Sequence, residues 1–413
     1  MSGKQNDSET KEIIHELDDI LPGDVDRRGF LNGSLALIGA GIFAGCSGDG
    51  TGTGTETGTG TGDMGFQDDE EIEFTTSWRK EPSHGAVHVT EMKGYWEDEG
   101  VPNVDGVRGN GSDTEALNIG TGSKEMGYTS FATAVSVWGG GEEDIDALDM
   151  SLVGIASARP FLSLIWRTDE LDDHTDIADK NVLLASGFAA ATWDMYPELA
   201  GVDQSEVSSE AAGEETGPPR LANNEVQAVW GSIDLLTAYE DEADVELKAT
   251  PLTELAPVPG LTIWANNEWY DNKDNAVEFT SAVLTGYNKA LKWVLLHGDE
   301  YIDYMRNEVN PNLQTWTDEE LYGQYETWVA SAVNLNWQDE GIGYFTQDEI
   351  KTALDGIAPA LLDDPDMLPS ASEMVNREPF EKSETVEFTD DEWNQLAETG
   401  GRFWDLFKEA EES

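Results

Sequence analysis

The side chains with the most chemical reach cluster early in the apolar part of the sequence. His84, His88 and Glu91 read H-x-x-x-H-x-x-E, and residues four apart share one face of a helix. Two imidazoles and a carboxylate are metal donors, but no third imidazole follows nearby, so structural or hydrogen-bonding roles suit the pair better and no metal is expected. Trp78 closes a strand-like run, where an aromatic either stacks on a planar ligand or fills a core. Gly109-Asn110-Gly111-Ser112 would turn backbone N–H groups and a hydroxyl toward an anion or a carbonyl oxygen; a plain turn explains the same four residues. Ser130-Phe131 and Ser186-Gly187-Phe188 follow later strands in the same manner. Arg159 suits an anionic ligand, with a bridge between lobes as the alternative. Trp230, beside Trp193 and Tyr239, is a candidate cleft aromatic or a core residue. No nucleophile elbow, Walker loop or dinucleotide fingerprint occurs, so binding without chemistry is the leading expectation and no cofactor is implied.

The elements that must position these residues alternate. Strand-like runs fall at 72–78, 126–130, 150–156, 162–166, 181–185, 227–230 and 261–265, with a shorter one ending at Val107. Apolar spacings of three and four residues predict helices over 83–99, 113–120, 131–138 and 234–239. Beyond Asn275 the pattern turns helical, over 275–297, 300–307, 318–333, 346–361 and 389–410. Alternation followed by a helical last third implies an α/β protein with mostly parallel sheets. In open α/β sheets ligands sit outside the carboxyl ends of strands, which is what selects the loops named above. Residues 203–220, rich in Ser, Glu, Gly and Pro, read as a surface insertion. The chain is expected to cross between lobes near Ala158-Arg159-Pro160 and again near Val258-Pro259-Gly260. That divides it into an outer lobe of 70–157 and 260–413 and an inner lobe of 158–259, closing on a ligand as a hinge.

The 413 residues hold 84 Asp and Glu against 23 Lys and Arg, a formal net charge of −61. Such a chain repels nucleic acid and anionic lipid surfaces. It is nonetheless 38% hydrophobic, with 14 Trp, 11 Tyr and 13 Phe, so an acidic surface encloses an ordinary core rather than a disordered chain. Molar salt screens that self-repulsion, since the Debye length falls to about 3 Å at 1 M; the composition therefore points to a halophile, and to an archaeon.

The first 46 residues carry an address. Asp26-Arg27-Arg28-Gly29-Phe30-Leu31 has the twin-arginine form, and an uncharged run to Gly45 precedes Cys46. Export through Arg27 and Arg28 followed by lipidation at Cys46 is the expectation; retention of the apolar run as a membrane anchor is the alternative. Cys46 is the one cysteine in the sequence, which excludes disulfides and thiol catalysis. Residues 47–69, dominated by Gly-Thr repeats, read as a flexible tether holding a domain on the outer face of the cell membrane.

Trp78, Pro82 and His84, followed by Gly94-Tyr95-Trp96-Glu97-Asp98-Glu99-Gly100, resemble the opening of the nitrate/sulfonate/taurine and thiamine-pyrimidine-precursor binding proteins. Gly109 to Ser112, residues 175–182 and residues 224–234 continue the likeness, which spans about 72–300. Ala178 and Asp179 depart from the family pattern at a position that family usually gives to Gly. The resemblance implies a two-lobed periplasmic-binding-protein-like fold of type II. It implies capture of a sulfonate, nitrate or pyrimidine-precursor class solute, delivered to the permease and ATPase of an ABC importer, by a monomer of haloarchaeal lipoprotein type. It also implies that His84 meets a ring nitrogen. A pyrimidine-precursor synthase on the same fold is the competing enzyme reading, but that enzyme's cysteine-rich motif is missing here. A surface scaffold without transport is the third.

Overall fold

A computed structural model of the chain describes residues 71–139, 148–362 and 364–412. Arg27, Arg28, Cys46 and the Gly/Thr tether lie outside these.

The strands in chain order are β1 (Ile72–Thr75), β2 (Val104–Val107), β3 (Met126–Ser130), β4 (Met150–Ser157) and β5 (Leu162–Arg167). They continue with β6 (Asn181–Leu184), β7 (Ser208–Ala211), β8 (Ala228–Ser232), β9 (Leu247–Pro251) and β10 (Leu261–Asn266). They form two five-stranded sheets, ordered β2-β1-β3-β10-β4 and β7-β6-β8-β5-β9. Each sheet has a parallel half, β2-β1-β3 in one and β7-β6-β8 in the other, and an antiparallel half. The expected mostly parallel sheets are thus mixed. The antiparallel strands are those at the passages between sheets: β10, returning from the other sheet, runs against β3 and β4, and β5, the first strand of the second sheet, runs against β8 and β9. Both β5 and β10 are buried along their whole length, which fits their mainly apolar sequences, Leu162-Ser163-Leu164-Ile165-Trp166 and Leu261-Thr262-Ile263-Trp264-Ala265.

The chain passes between the sheets twice, after β4 and after β9. The two passages touch: Gly260 N–H donates to Ser157 O at 3.1 Å. A Cβ on Gly260 would lie 2.2 Å from Arg159 O, so only glycine fits there. The first passage is also tied to the C-terminal half, with Ala158 N–H and Arg159 N–H donating to Ala332 O and Ser331 O, each at 2.9 Å.

The helices that flank the sheets include α1 (Ala86–Lys93), α2 (Ser112–Gly120), α3 (Phe131–Gly139), α4 (Gly187–Thr192), α5 (Leu235–Ala243), α6 (Ala276–Leu296), α7 (Asp318–Ala332), α8 (Gln347–Leu361) and α9 (Asp390–Glu412), with Gly298–Tyr304 between α6 and α7 where the sequence predicts a helix over 300–307. The last four make up the helical third anticipated from the sequence. Capping boxes start two of them: Thr317 with Glu320 opens α7, and Thr346 with Glu349 opens α8, each satisfying two end N–H groups.

Two expectations are corrected. The single helix over 83–99 breaks at Gly94, whose φ of 70° ends α1 in a left-handed cap before the short turn Tyr95–Asp98; glycine takes that conformation without a Cβ clash. Residues 203–220 are more than an insertion. They supply β7, an exposed edge strand whose polar sequence hides its pairing with β6, and the start of the short helix Gly217–Ala222.

Each sheet builds its own aromatic core. Phe74 contacts Trp96, Tyr128 and Tyr287 with ring centroids about 6 Å apart in the first. Trp193, Tyr196 and Trp230 do the same in the second.

Candidate functional site

Residues just beyond strands of both sheets influence one another electrostatically: Glu81 after β1, Glu214 after β7 and Asp234 after β8. Helix α3, which follows β3, packs against α4, which follows β6.

The loop after β1 carries Trp78, one of two large apolar side chains exposed among the described residues, at 40%. The Arg79 guanidinium lies 5.3 Å from its ring centre. This loop is fixed by backbone anchors. Trp78 O accepts from Gly109 N–H at 3.1 Å and from the Thr76 hydroxyl at 2.8 Å. Lys80 O accepts from the Asn310 amide at 2.8 Å, and Pro82 O accepts from the Tyr301 hydroxyl. Glu81 sits between those last two anchored carbonyls.

Gly109 to Ser112 leads from β2 into α2, as expected, but the N–H groups of its first half are already answered. Gly109 N–H also reaches the Thr76 hydroxyl at 3.1 Å, and Asn110 N–H donates to Glu115 Oε1 at 3.1 Å. The Glu115 carboxylate, 1% exposed, takes a further bond from the Thr75 hydroxyl at 2.8 Å. A carboxylate from the first turn of α2 therefore occupies the place an anionic ligand would take. At Gly109 a Cβ would stand 1.8 Å from Thr76 O. Gly111 precedes the helix with a φ of 142°. Ser112 ties this loop to the next strand, its hydroxyl accepting from Ser130 N–H at 3.3 Å.

His84 is buried. Its Nδ1 lies 3.2 Å from the Tyr128 hydroxyl, and its ring stacks on that phenol with centroids 5.8 Å apart. Burial pushes its pKa down to about 4, so it is a neutral imidazole. His88 is driven to about 3 by burial, with Lys80 and His84 adding to the effect. Glu91 turns away to accept from Gly106 N–H at 2.7 Å. The H-x-x-x-H-x-x-E pattern thus breaks up, because His84 belongs to a 3-10 turn ahead of α1.

Phe131 lies elsewhere than expected, and Trp230 and Arg159 follow the second of their two readings. Phe131 is fully buried and stacks on Trp264. Trp230 is fully buried against Tyr196, its indole N–H reaching the Thr192 hydroxyl at 3.3 Å. Both read as site aromatics because an aromatic beside a strand end carries no label of which face it takes. Arg159, 1% exposed, follows its alternative reading as a bridge. It grips Glu411 with two bonds of 2.6 and 2.8 Å and donates to Ala330 O at 2.7 Å, with Phe407 beneath. Ser186 caps α4 by accepting from Ala189 N–H at 3.1 Å, and Gly187 and Phe188 form that helix's first turn.

Sequence reasoning missed three acids. Glu81 from the first sheet, Asp234 just after β8 and Glu214 just after β7 lie within electrostatic reach of one another. Burial raises the Glu81 pKa, Arg79 opposes the rise and Asp234 adds to it. Glu214 is lifted to about 7 by burial, with Asp234, Glu81 and Glu215 contributing. Asp234 is raised by burial, against the pull of Ser232 and of its own and the next backbone N–H. It stands at the N-cap of α5 yet makes no capping bond, and its Oδ1 is shut off from solvent without a partner.

A family model described as NMT1/THI5 like matches residues 81–293. The fold is similar to that of the periplasmic nitrate-binding protein NrtA of Synechocystis PCC 6803, with a TM-score of 0.54, 12% identity and coverage of 80% of this chain and 89% of that one. It is also similar to the periplasmic sulfonate-binding protein SsuA of Methylobacillus flagellatus KT (TM-score 0.53, 13% identity, 78% and 99% covered). The periplasmic aliphatic sulphonate binding protein SsuA of Escherichia coli gives a TM-score of 0.52 at 11% identity, with 78% and 94% covered. No curated protein matches the sequence. At such identities these likenesses are of fold. The family model spans more than half of the sequence, and the chain belongs to the NMT1/THI5-like family.

Proposed function

We propose that the protein is the extracytoplasmic solute-binding component of an ABC importer. It takes a small solute between an outer lobe of 70–157 and 260–413 and an inner lobe of 158–259, then presents it to a membrane permease driven by its ATPase. The observation that carries this reading is the pair of sheets joined by two touching passages, and the solute is assigned to the loops at the carboxyl ends of their strands. Hinge closure on a ligand is what such a connection permits. Family membership and the nitrate- and sulfonate-binding proteins of like fold support it. Binding, not catalysis, is the proposed activity. Twin-arginine export through Arg27 and Arg28 and a lipid on Cys46 would hold the domain, as a monomer, on the outer face of a haloarchaeal membrane. Within the crevice, Trp78 is the aromatic available to a solute, and Ser130 and Ser186 offer hydroxyls from facing loops.

Thermal melting of the full chain in molar KCl, against nitrate, alkanesulfonates, pyrimidines and small amines, tests the reading. A solute at one hundred times its Kd stabilises by about 2.7 kcal/mol, and Trp78→Ala should abolish the shift. A well-folded protein that responds to no solute class would count against capture.

A further inference from the structure

We infer that the solute is a small organic cation bearing N–H groups, an amine or amidine, held between Glu81 of one lobe and Asp234 of the other with Glu214 at the rim. The inference rests on the solute-capture reading and names the ligand class of the same crevice.

Two of the groups suited to an anion are spent. Arg159 is saturated by Glu411 and Ala330 O. The first N–H groups of the Gly109–Ser112 turn are taken by Thr76, Trp78 and the buried Glu115 carboxylate. Arg79 is the cation beside Glu81 and rests on the Trp78 ring.

The acids show the opposite condition. On a surface so rich in carboxylates, most such groups face water and cost little. Asp234 does not: its Oδ1 is shielded from solvent, lacks a hydrogen-bond partner, and is not used to cap α5. A shielded carboxylate oxygen with no donor is costly to maintain, and the cost is recovered when a charged N–H donor arrives. Glu81 faces it from the other sheet, on a loop whose flanking carbonyls are pinned by Asn310 and Tyr301. Closure thus brings negative charge from both lobes onto one solute group, and without that solute the same charges hold the lobes apart. The exposed face of Trp78, in the same loop as Glu81, gives an organic cation an aromatic surface.

The test is melting and calorimetric titration of the full chain in molar KCl at pH 8. The probes are benzamidine, butylamine and putrescine against benzamide, butanol, tetramethylammonium, nitrate and methanesulfonate. The inference expects an amine or amidine to stabilise while its neutral isostere and the N–H-free tetramethylammonium do not. It expects Asp234→Asn and Glu81→Gln each to weaken binding at least tenfold in variants that still melt cooperatively. Stabilisation by nitrate, methanesulfonate or a neutral probe, unaffected by these substitutions, would overturn the cation and leave capture standing. Silence across every class would overturn capture and the cation together.

Discussion

Buried charge is handled in opposite ways at the hinge and in the crevice. At the hinge, Arg159 is almost fully buried and every contact around it is complementary: two carboxylate oxygens, one carbonyl and an aromatic face. In the crevice, Glu81, Asp234 and Glu214 lie within reach of one another, and the Oδ1 of Asp234 has no donor. A buried pair that is complete costs little to keep, whereas one partner left alone is expensive. The first arrangement holds a passage in place whatever is bound. The second is the cost that a bound cation, as proposed above, would relieve.

The contrast is easiest to break at the hinge. Arg159→Ala empties a fully buried site and unpairs the Ala330 carbonyl, while Glu411 keeps water and the Leu335 N–H; it should lower the unfolding free energy in molar KCl by about 3 kcal/mol, measured by urea titration. Unchanged stability would show the bridge to be idle.

Next come the two buried histidines, whose pKa values of about 4 and about 3 lie below the ordinary 6.5. A depressed folded pKa gives stability that is present above pH 6.5 and is lost as pH falls, because the unfolded chain takes up the protons. Each histidine should cost about 2 kcal/mol between pH 7 and pH 5. The crevice acids are raised and titrate in the opposite sense, so the effect is read as a difference. Wild type should lose about 2 kcal/mol more than His88→Gln over that range, and parallel curves would contradict it.

In the crevice the sign reverses. Asp234→Asn removes a charge facing two others, and in the absence of solute it should leave stability unchanged or raise it, by on the order of 1 kcal/mol. A loss of several kcal/mol would mean that the bonds Asp234 takes from Ser232 and the backbone N–H groups beside it are structural. Smallest is Trp78→Ala, which removes an exposed ring and should move stability by under about 0.5 kcal/mol while eliminating the response to solute.

Eight of the ten strands and the last four helices are legible in the sequence because apolar periodicity and caps such as Thr317 and Thr346 mark them locally, while β9 (Leu247–Pro251), short and broken by Lys248 and Thr250, is not. The polar edge strand β7 is not, since its residues are all exposed and only pairing with β6 defines it. The crevice is legible only in outline. Carboxyl-end logic finds the loops, yet the face each aromatic takes depends on packing, which sends Phe131 and Trp230 inward. Glu81 and Asp234 leave no signal at all. In a chain with 84 acids, an acid that is shielded and one that faces water look the same until the fold separates them.

The account turns on closure of two lobes over a solute, and distance across the crevice measures that directly. With Cys46 replaced by Ser, single cysteines at the exposed Glu97 and Asp241 would carry a fluorophore pair on the two lobes. Adding the solute that stabilises the protein should shorten the distance between them, saturating with the same Kd as the melting shift. A bound, stabilised protein whose labels do not move would contradict the account.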